Sequence, residues 1–276
     1  MSSKMVEVKG KLAESSTATQ SDTSETTSPS NRPMSPPIQA LWKKLCGNPF
    51  ATTFDKWAKE IPDEEAVVWL NGEGDVAEIR TYKQLVDQIY ELAGFLREIG
   101  IKQNDRLILC YPPGIDFIVA FYSCIISGIA AVPVYPPDPT KGMTDIPRFC
   151  DIGDGAGTKK ALTSTTYRRV AAAMSVVSRE KRWKEIEWIC TDSIKKSSAP
   201  VARSHIALDP HSIAFLQVGT VYRDLPQCWR LGIAEQLYSG AIATQHRKAT
   251  NACLTACCIN AVVLLYACAV HFGEYI

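Results

Sequence analysis

The chain has 276 residues, 46% of them hydrophobic, with 30 Lys and Arg against 29 Asp and Glu. That length suits one or two domains with a sizeable core. The hydrophobic fraction excludes a wholly disordered chain, and a net charge of +1 argues against a surface built to hold a nucleic-acid backbone. The charges are unevenly spread: residues 218–276 hold 4 basic and 3 acidic groups but half of the 10 cysteines. Such a shift marks a change of domain or of sequence origin.

The N-terminus, MSSKMVEVKGKLAESSTATQSD, has no apolar run of signal-peptide length, so a cytoplasmic chain is expected. From Ser15 to Ser30, 11 of 16 residues are Ser or Thr, and Pro29, Pro33, Pro36 and Pro37 lie close by. Residues 1–40 therefore read as a disordered leader. Ser28-Pro29 and Ser35-Pro36 fit proline-directed phosphorylation, with a solvated tail as the simpler account. The ten cysteines show no disulfide-framework spacing and are expected to act as small buried hydrophobes.

Ordered structure should begin near Leu41. Thr53 or Asp55 can cap a short helix through Trp57 and Lys59. AVVWL (66–70) and VAEIRT (76–81) flank Asn71-Gly72-Glu73-Gly74, the pattern of a β-hairpin. Thr81 with Gln84 three residues on is a capping box. The helix it opens places Leu85, Ile89, Leu92, Leu96 and Ile99 on one face, and Gly100 stops it. Residues 107–111 read as a short buried strand, turned by Pro112-Pro113-Gly114. Asp116 can cap a helix to Ser127, ended by Gly128, and IAAVPVYPP continues as a strand. Pro147 to Asp154 reads as the start of a helix, and Gly153-Asp154-Gly155-Ala156-Gly157 as a helix-to-strand turn rather than a nucleotide loop. ALTST (161–165) reads as a strand, 167–184 as one long helix, WICTD (188–192) as a strand, 193–211 as a polar linker with solvated His205 and His211, and IAFLQ (213–217) as a last strand. Short strands alternating with helices indicate βαβ units, and hence an α/β fold with a mostly parallel sheet.

Two uncharged runs are long enough to be weighed as membrane spans. The first, 117–137, is better explained by a helix and a short buried strand, because Gly128, Pro133, Pro136 and Pro137 interrupt it. In the second, 252–272, 18 of 21 residues are apolar and none is Pro. As a helix it would reach about 30 Å, enough for a bilayer core. Arg247 and Lys248 ahead of it would keep the preceding chain on the cytoplasmic side. Asn260 and the Ala- and Cys-rich composition argue against a span. Cys253, Cys257, Cys268 and His271 have zinc-ligand chemistry, but a continuous apolar run is a poor place for a structural zinc site. There is no HExxH, GxSxG or GxxxxGK[ST].

The stretch TYKQLVDQIYELAGFLREIGIKQNDRLILCYPPGIDFIVAFYSCIISGIAAVPVYPPDP resembles the N-terminal region of adenylate-forming enzymes, most nearly the fatty acyl-AMP ligases. YPPGIDFIVAF and GIAAVPVYPP carry most of the likeness, and IAFLQ resembles the strand before that family's phosphate loop. The resemblance runs over about residues 44–217. It implies part of the large N-terminal domain of such an enzyme, with an N-terminal β-hairpin. In the full-length family it implies ATP- and Mg2+-dependent activation of a fatty acid to an acyl-adenylate, with transfer to coenzyme A or a carrier-protein thiol.

After Gln217 the chain reads VGTVYRDLPQCWRLGIAEQL. A phosphate cradle needs small residues that let backbone N–H groups reach phosphate oxygens, and a lysine to neutralise charge. Only Gly219 and Thr220 fit that need, and no Pro-Lys-Gly follows. The family's ribose-binding aspartate and catalytic lysine have no counterpart in 218–276. We therefore assign this chain no catalytic, cofactor-binding or metal residue, and expect it to be inactive alone and to bind no cofactor. A non-catalytic interaction module and a tail-anchored protein remain alternatives. The likeness stops at the edge of a strand, which suggests a change of reading frame or exon after Gln217. An IAFLQ strand at the end of an interrupted sheet would have an uncovered edge and low solubility, unless the tail packs over it.

Overall fold

The pair Asn48-Pro49 opens the first well-defined helix. Proline suits the first helical position, where its missing N–H is not needed, and asparagine is a strong cap. The computed structural model describes residues 47–194, 205–209 and 211–217, the backbone of 227–230, and residues 36, 39, 40, 43 and 203. All belong to one unit, Met34–Ile276. Helix α1 spans Pro49–Glu60, and Asn48 Oδ1 accepts from Ala51 N at 3.1 Å. Thr53 and Asp55 lie inside this helix, so neither is its cap.

Strands β1 (Glu65–Leu70) and β2 (Val76–Thr81) form the expected antiparallel hairpin. Its turn is closed by Asn71 Oδ1, which accepts from Glu73 N and Asp75 N, and by Gly74 at φ 91°. Helix α2 (Tyr82–Glu98) starts with both halves of the Thr81–Gln84 capping box in place. Leu85, Ile89, Leu92 and Leu96 are buried. Ile99 is not: it occupies the C-cap and is 41% exposed, because the chain leaves the helix there for Gly100 at φ 85°.

Five parallel strands make the main sheet: β3 (Arg106–Leu109), β4 (Ala130–Pro133), β5 (Lys160–Thr163), β6 (Glu187–Cys190) and β7 (Ile213–Gln217), in the order β6-β5-β3-β4-β7. Helices α3 (Ile115–Ile126), α4 (Gly142–Ala156) and α5 (Thr165–Val177) make the crossovers. Strand residues alternate between two cores. Leu107, Leu109 and Ala131 join α1, α2 and α3, whereas Ile108, Val132 and Ala161 join α4 and α5. Burial on both faces explains why these strands read as continuous apolar runs.

Three expectations are corrected, and a fourth point, left conditional on the tail, is decided. Helix α3 is capped by the backbone of Gly114, and Asp116 lies in its first turn. Helix α4 begins at Gly142, five residues before Pro147. Asp138 caps a preceding 3-10 turn (Pro139–Lys141), and Pro147 sits inside the helix near its start, where one lost backbone bond is tolerable. The long helix over 167–184 divides: α5 ends at Val177, Ser178 is extended, and a separate 3-10 turn covers Arg182–Glu185. Arg182 holds that turn through Glu180, Asp151 and Asp154 at 2.8–2.9 Å. Finally, the edge of β7 is covered. Strand β8 (Gln227–Arg230) pairs with it antiparallel from Ile213↔Arg230 to Gln217↔Gln227.

The route into β7 is also more ordered than a solvated linker. Asn48 Nδ2 donates to Ile126 O at 2.9 Å and Ile206 O at 3.0 Å, and Leu208 N donates to Gly47 O at 2.9 Å. His205 and His211 are both exposed, as expected, but His205 is also tethered: it pairs with Asp55 and lies 3.4 Å from the Tyr90 hydroxyl. Arg203 bridges Asp55 (3.4 Å) and Asp87 (2.8 Å). Burial alone would raise the Asp87 carboxyl, but Lys83 and Arg203 outweigh it and hold its pKa below 3.8. The folded value is the lower one, so this stabilisation is complete above 3.8 and is lost as pH falls through the folded value. Asp87→Asn should therefore cost about 0.2–1 kcal/mol at pH 7 and nothing once both states are protonated, measured by urea unfolding across pH.

Among the described residues no helix is long and apolar enough to cross a membrane. The run 117–137 divides into α3 and β4 as expected. The candidate span 252–272 lies outside the described residues.

Candidate functional site

Strand order fixes where a ligand crevice opens. β3 feeds α3 and then β4 on one side, while its other neighbour, β5, feeds α5 and then β6 on the other. Loops that leave neighbouring strands in opposite directions open a crevice beyond their carboxyl ends. The loops after β3 and β4 begin with the same tripeptide, Tyr111-Pro112-Pro113 and Tyr135-Pro136-Pro137. Tyr111 is fully buried and Tyr135 is half exposed.

The floor of the crevice is tied together by hydroxyl groups. The Tyr111 hydroxyl lies 2.8 Å from Thr191 Oγ1, linking the end of β3 to the end of β6 across β5. Thr163 Oγ1 donates to Cys110 O at 2.7 Å, and the Tyr167 hydroxyl donates to Pro137 O at 3.0 Å. Burial pushes the Tyr111 phenol and the Cys110 thiol well upward, so both stay protonated and serve as fixtures rather than nucleophiles. Ser164 caps α5, and Asp192 accepts from Thr165 N and Thr165 Oγ1 at 2.7–2.9 Å. The amino end of that helix is therefore occupied by the chain's own carboxylate.

The rim is acidic. Asp116, Asp138 and Asp192 all follow strand ends. Burial, with the like charges of Glu78 and Asp192, pushes the Asp116 carboxyl upward against the opposing pull of Arg80. Asp138 is spent on Thr140, whose N and Oγ1 donate to it at 2.7 and 2.8 Å. The cations beside this rim, Arg80 and Lys141, already face carboxylates, Arg80 facing Glu78 and Asp116 and Lys141 facing Asp138. The chain that follows β7 enters at this same edge. Gly219 and Thr220 lie outside the described residues, as do Cys253, Cys257, Cys268 and His271. Among the described residues no three His, Cys, Asp or Glu side chains gather as a metal would require. A cavity of about 330 Å³ lies at the opposite end of the sheet, lined by Asn104, Gly128, Asp209, His211 and Ser212 among others. Its polar groups largely satisfy one another: Ser212 Oγ donates to Asn104 Oδ1 at 3.1 Å, and His211 N to Asp209 Oδ1 at 2.9 Å. The strand-end hydroxyl ties were missed in the sequence, where the repeated Tyr-Pro-Pro was their only visible sign.

Comparison with known proteins agrees with this architecture. The family model described as AMP-binding enzyme matches residues 54–217. The medium-chain-fatty-acid–[acyl-carrier-protein] ligase JamA of Moorena producens is 34% identical over 125 residues, which is 45% of this chain and 20% of that protein. Human Disco-interacting protein 2 homolog A is 33% identical over 154 residues, 53% of this chain and 9% of that one. The fatty acyl-adenylate ligase from L. pneumophila, solved with acyl adenylate and pyrophosphate, shares the fold at a TM-score of 0.54 and 22% identity, over 69% of this chain and 32% of that one. The chain thus belongs to the AMP-binding, adenylate-forming enzyme family, and its fold is that of the family's N-terminal domain. It spans a third or less of the length of these three relatives.

Proposed function

We propose that this chain is the amino-terminal part of a fatty acyl-AMP ligase, and that alone it does not form an acyl-adenylate. The observation that carries this reading is the point at which the family match ends. It stops at Gln217, the last residue of β7, and the residues that follow supply neither a Gly/Ser/Thr-rich loop nor Pro-Lys-Gly. The crevice beyond β3 and β5 is a built scaffold with an acidic rim, and we expect the cationic partners of a triphosphate to enter after β7. The substrate class, a fatty acid activated by ATP with Mg2+ and passed to a carrier-protein thiol or coenzyme A, rests on the relatives alone. In this reading residues 1–40 are a leader, 218–276 have a different origin from 41–217, and the chain resides in the cytoplasm.

ATP–pyrophosphate exchange with a long-chain fatty acid tests the proposal. No exchange above a no-protein control is the expected result, and exchange that scales with fatty acid would overturn it. The origin of 218–276 is tested in the coding sequence past the Gln217 codon. A Gly/Ser/Thr loop and Pro-Lys-Gly in another frame or a neighbouring exon supports the altered-frame origin, and their absence from every frame makes the divergence native.

A second reading, a scaffold kept for interaction without catalysis, draws on the likeness to the Disco-interacting proteins. It differs from the first in one outcome. Restoring a family-type loop and the downstream domain after Gln217 should produce exchange activity in a ligase fragment, and none in a chain whose scaffold has lost the chemistry.

A further inference from the structure

The β1–β2 hairpin carries apolar side chains on both faces. In a hairpin with one solvated face, apolar residues turn inward and charged residues outward. Here the inner face holds buried Val67 and half-buried Trp69 as expected, beside the Glu78–Arg80 ion pair, with Arg80 Nε donating to Gln88 Oε1 at 3.3 Å. The outer face holds four aliphatic side chains in two cross-strand pairs, Val68 with Ile79 and Leu70 with Val76. They are 40%, 39%, 52% and 57% exposed, in that order. Contiguous exposed apolar surface of this kind marks a contact site, and a two-stranded sheet is marginal unless its faces are covered.

We propose that the apolar segment 249–273 of this same chain docks on that outer face. The charge pattern selects this occupant. Residues 63–78 carry six acidic side chains and no basic one. A second copy docked through the same face would set those carboxylates against themselves, and an anionic lipid surface would meet the same repulsion. The tail segment is uncharged over its length and is led by His246, Arg247 and Lys248, which complement the acidic border. Reach is not limiting. β8 ends at Arg230, and the 18 residues before Ala249 can extend to about 60 Å. The radius of gyration of a domain this size is roughly 16 Å.

The test places the photocrosslinker p-benzoylphenylalanine at Leu70 in the full chain, in buffer and with phosphatidylcholine–phosphatidylserine vesicles. A crosslink at monomer mass, mapped to peptides within 249–273 and lost on deleting 252–272, is expected under both conditions. A crosslink at dimer mass, a crosslink to lipid, or none to 249–273 would overturn the proposal. Leu70→Glu changes an exposed residue and should leave the fold intact. It is expected to raise proteolytic cleavage within 249–273 at least fivefold. Unchanged cleavage would overturn the proposal as well.

Discussion

Trp183→Ala is expected to destabilise the fold by about 3–5 kcal/mol. Trp183 is the largest of the fully buried side chains, at 1% exposure. Its ring sits edge-on to Phe149 at 5.2 Å and to Trp188 at 5.0 Å, and its Nε1 donates to Ala171 O at 3.1 Å. One side chain thereby joins α4, β6 and α5. Truncation leaves a cavity at that junction and removes a hydrogen-bond donor from a buried carbonyl, and the two losses act in the same direction. Urea unfolding followed by circular dichroism measures the change. A loss below 1 kcal/mol would mean that the second core does not depend on this residue.

Asn48→Ala should be the next most damaging, at about 2–4 kcal/mol. Asn48 is fully buried, yet each of its polar atoms is used. Its oxygen caps α1, and its nitrogen donates to Ile126 O at the end of α3 and to Ile206 O on the route into β7. Losing a cap accounts for about 1 kcal/mol, and leaving buried carbonyls without a donor accounts for the rest. The effect should also be local in a way that a cavity is not. β7 meets β4 through the single register pair Ala131↔Phe215, whereas β5 and β6 pair at four positions. Amide exchange in β7 should accelerate in the variant more than exchange in β5. Equal acceleration would show that the segment before β7 is not what holds that strand.

Much of this architecture is written in local chemistry. The capping box at Thr81, the Asn71 turn, the glycine stop at Gly100 and the buried run 107–111 act over a few residues, and each is present as expected. The errors fall where a distant partner decides. Asp55 looks like a cap until Arg203 and His205 are brought to it across about 150 positions. The stretch 167–184 looks like one helix because nothing nearby predicts that Arg182 will be drawn to Asp151 and Asp154. The edge of β7 looks bare because β8 lies in a stretch with no periodicity to announce it. The site divides in the same way. Its place beyond β3 and β5 follows from strand order, but the links from Tyr111 to Thr191 and from Tyr167 to Pro137 appear only when the strand ends are side by side.

The central claim is that the edge of the sheet in this chain lacks a grip for a triphosphate. Calorimetric titration of the 276-residue protein with Mg2+–ATP, in the presence of a long-chain fatty acid, tests it most directly. The account predicts no saturable heat up to millimolar nucleotide. A one-to-one isotherm with a micromolar Kd would contradict it.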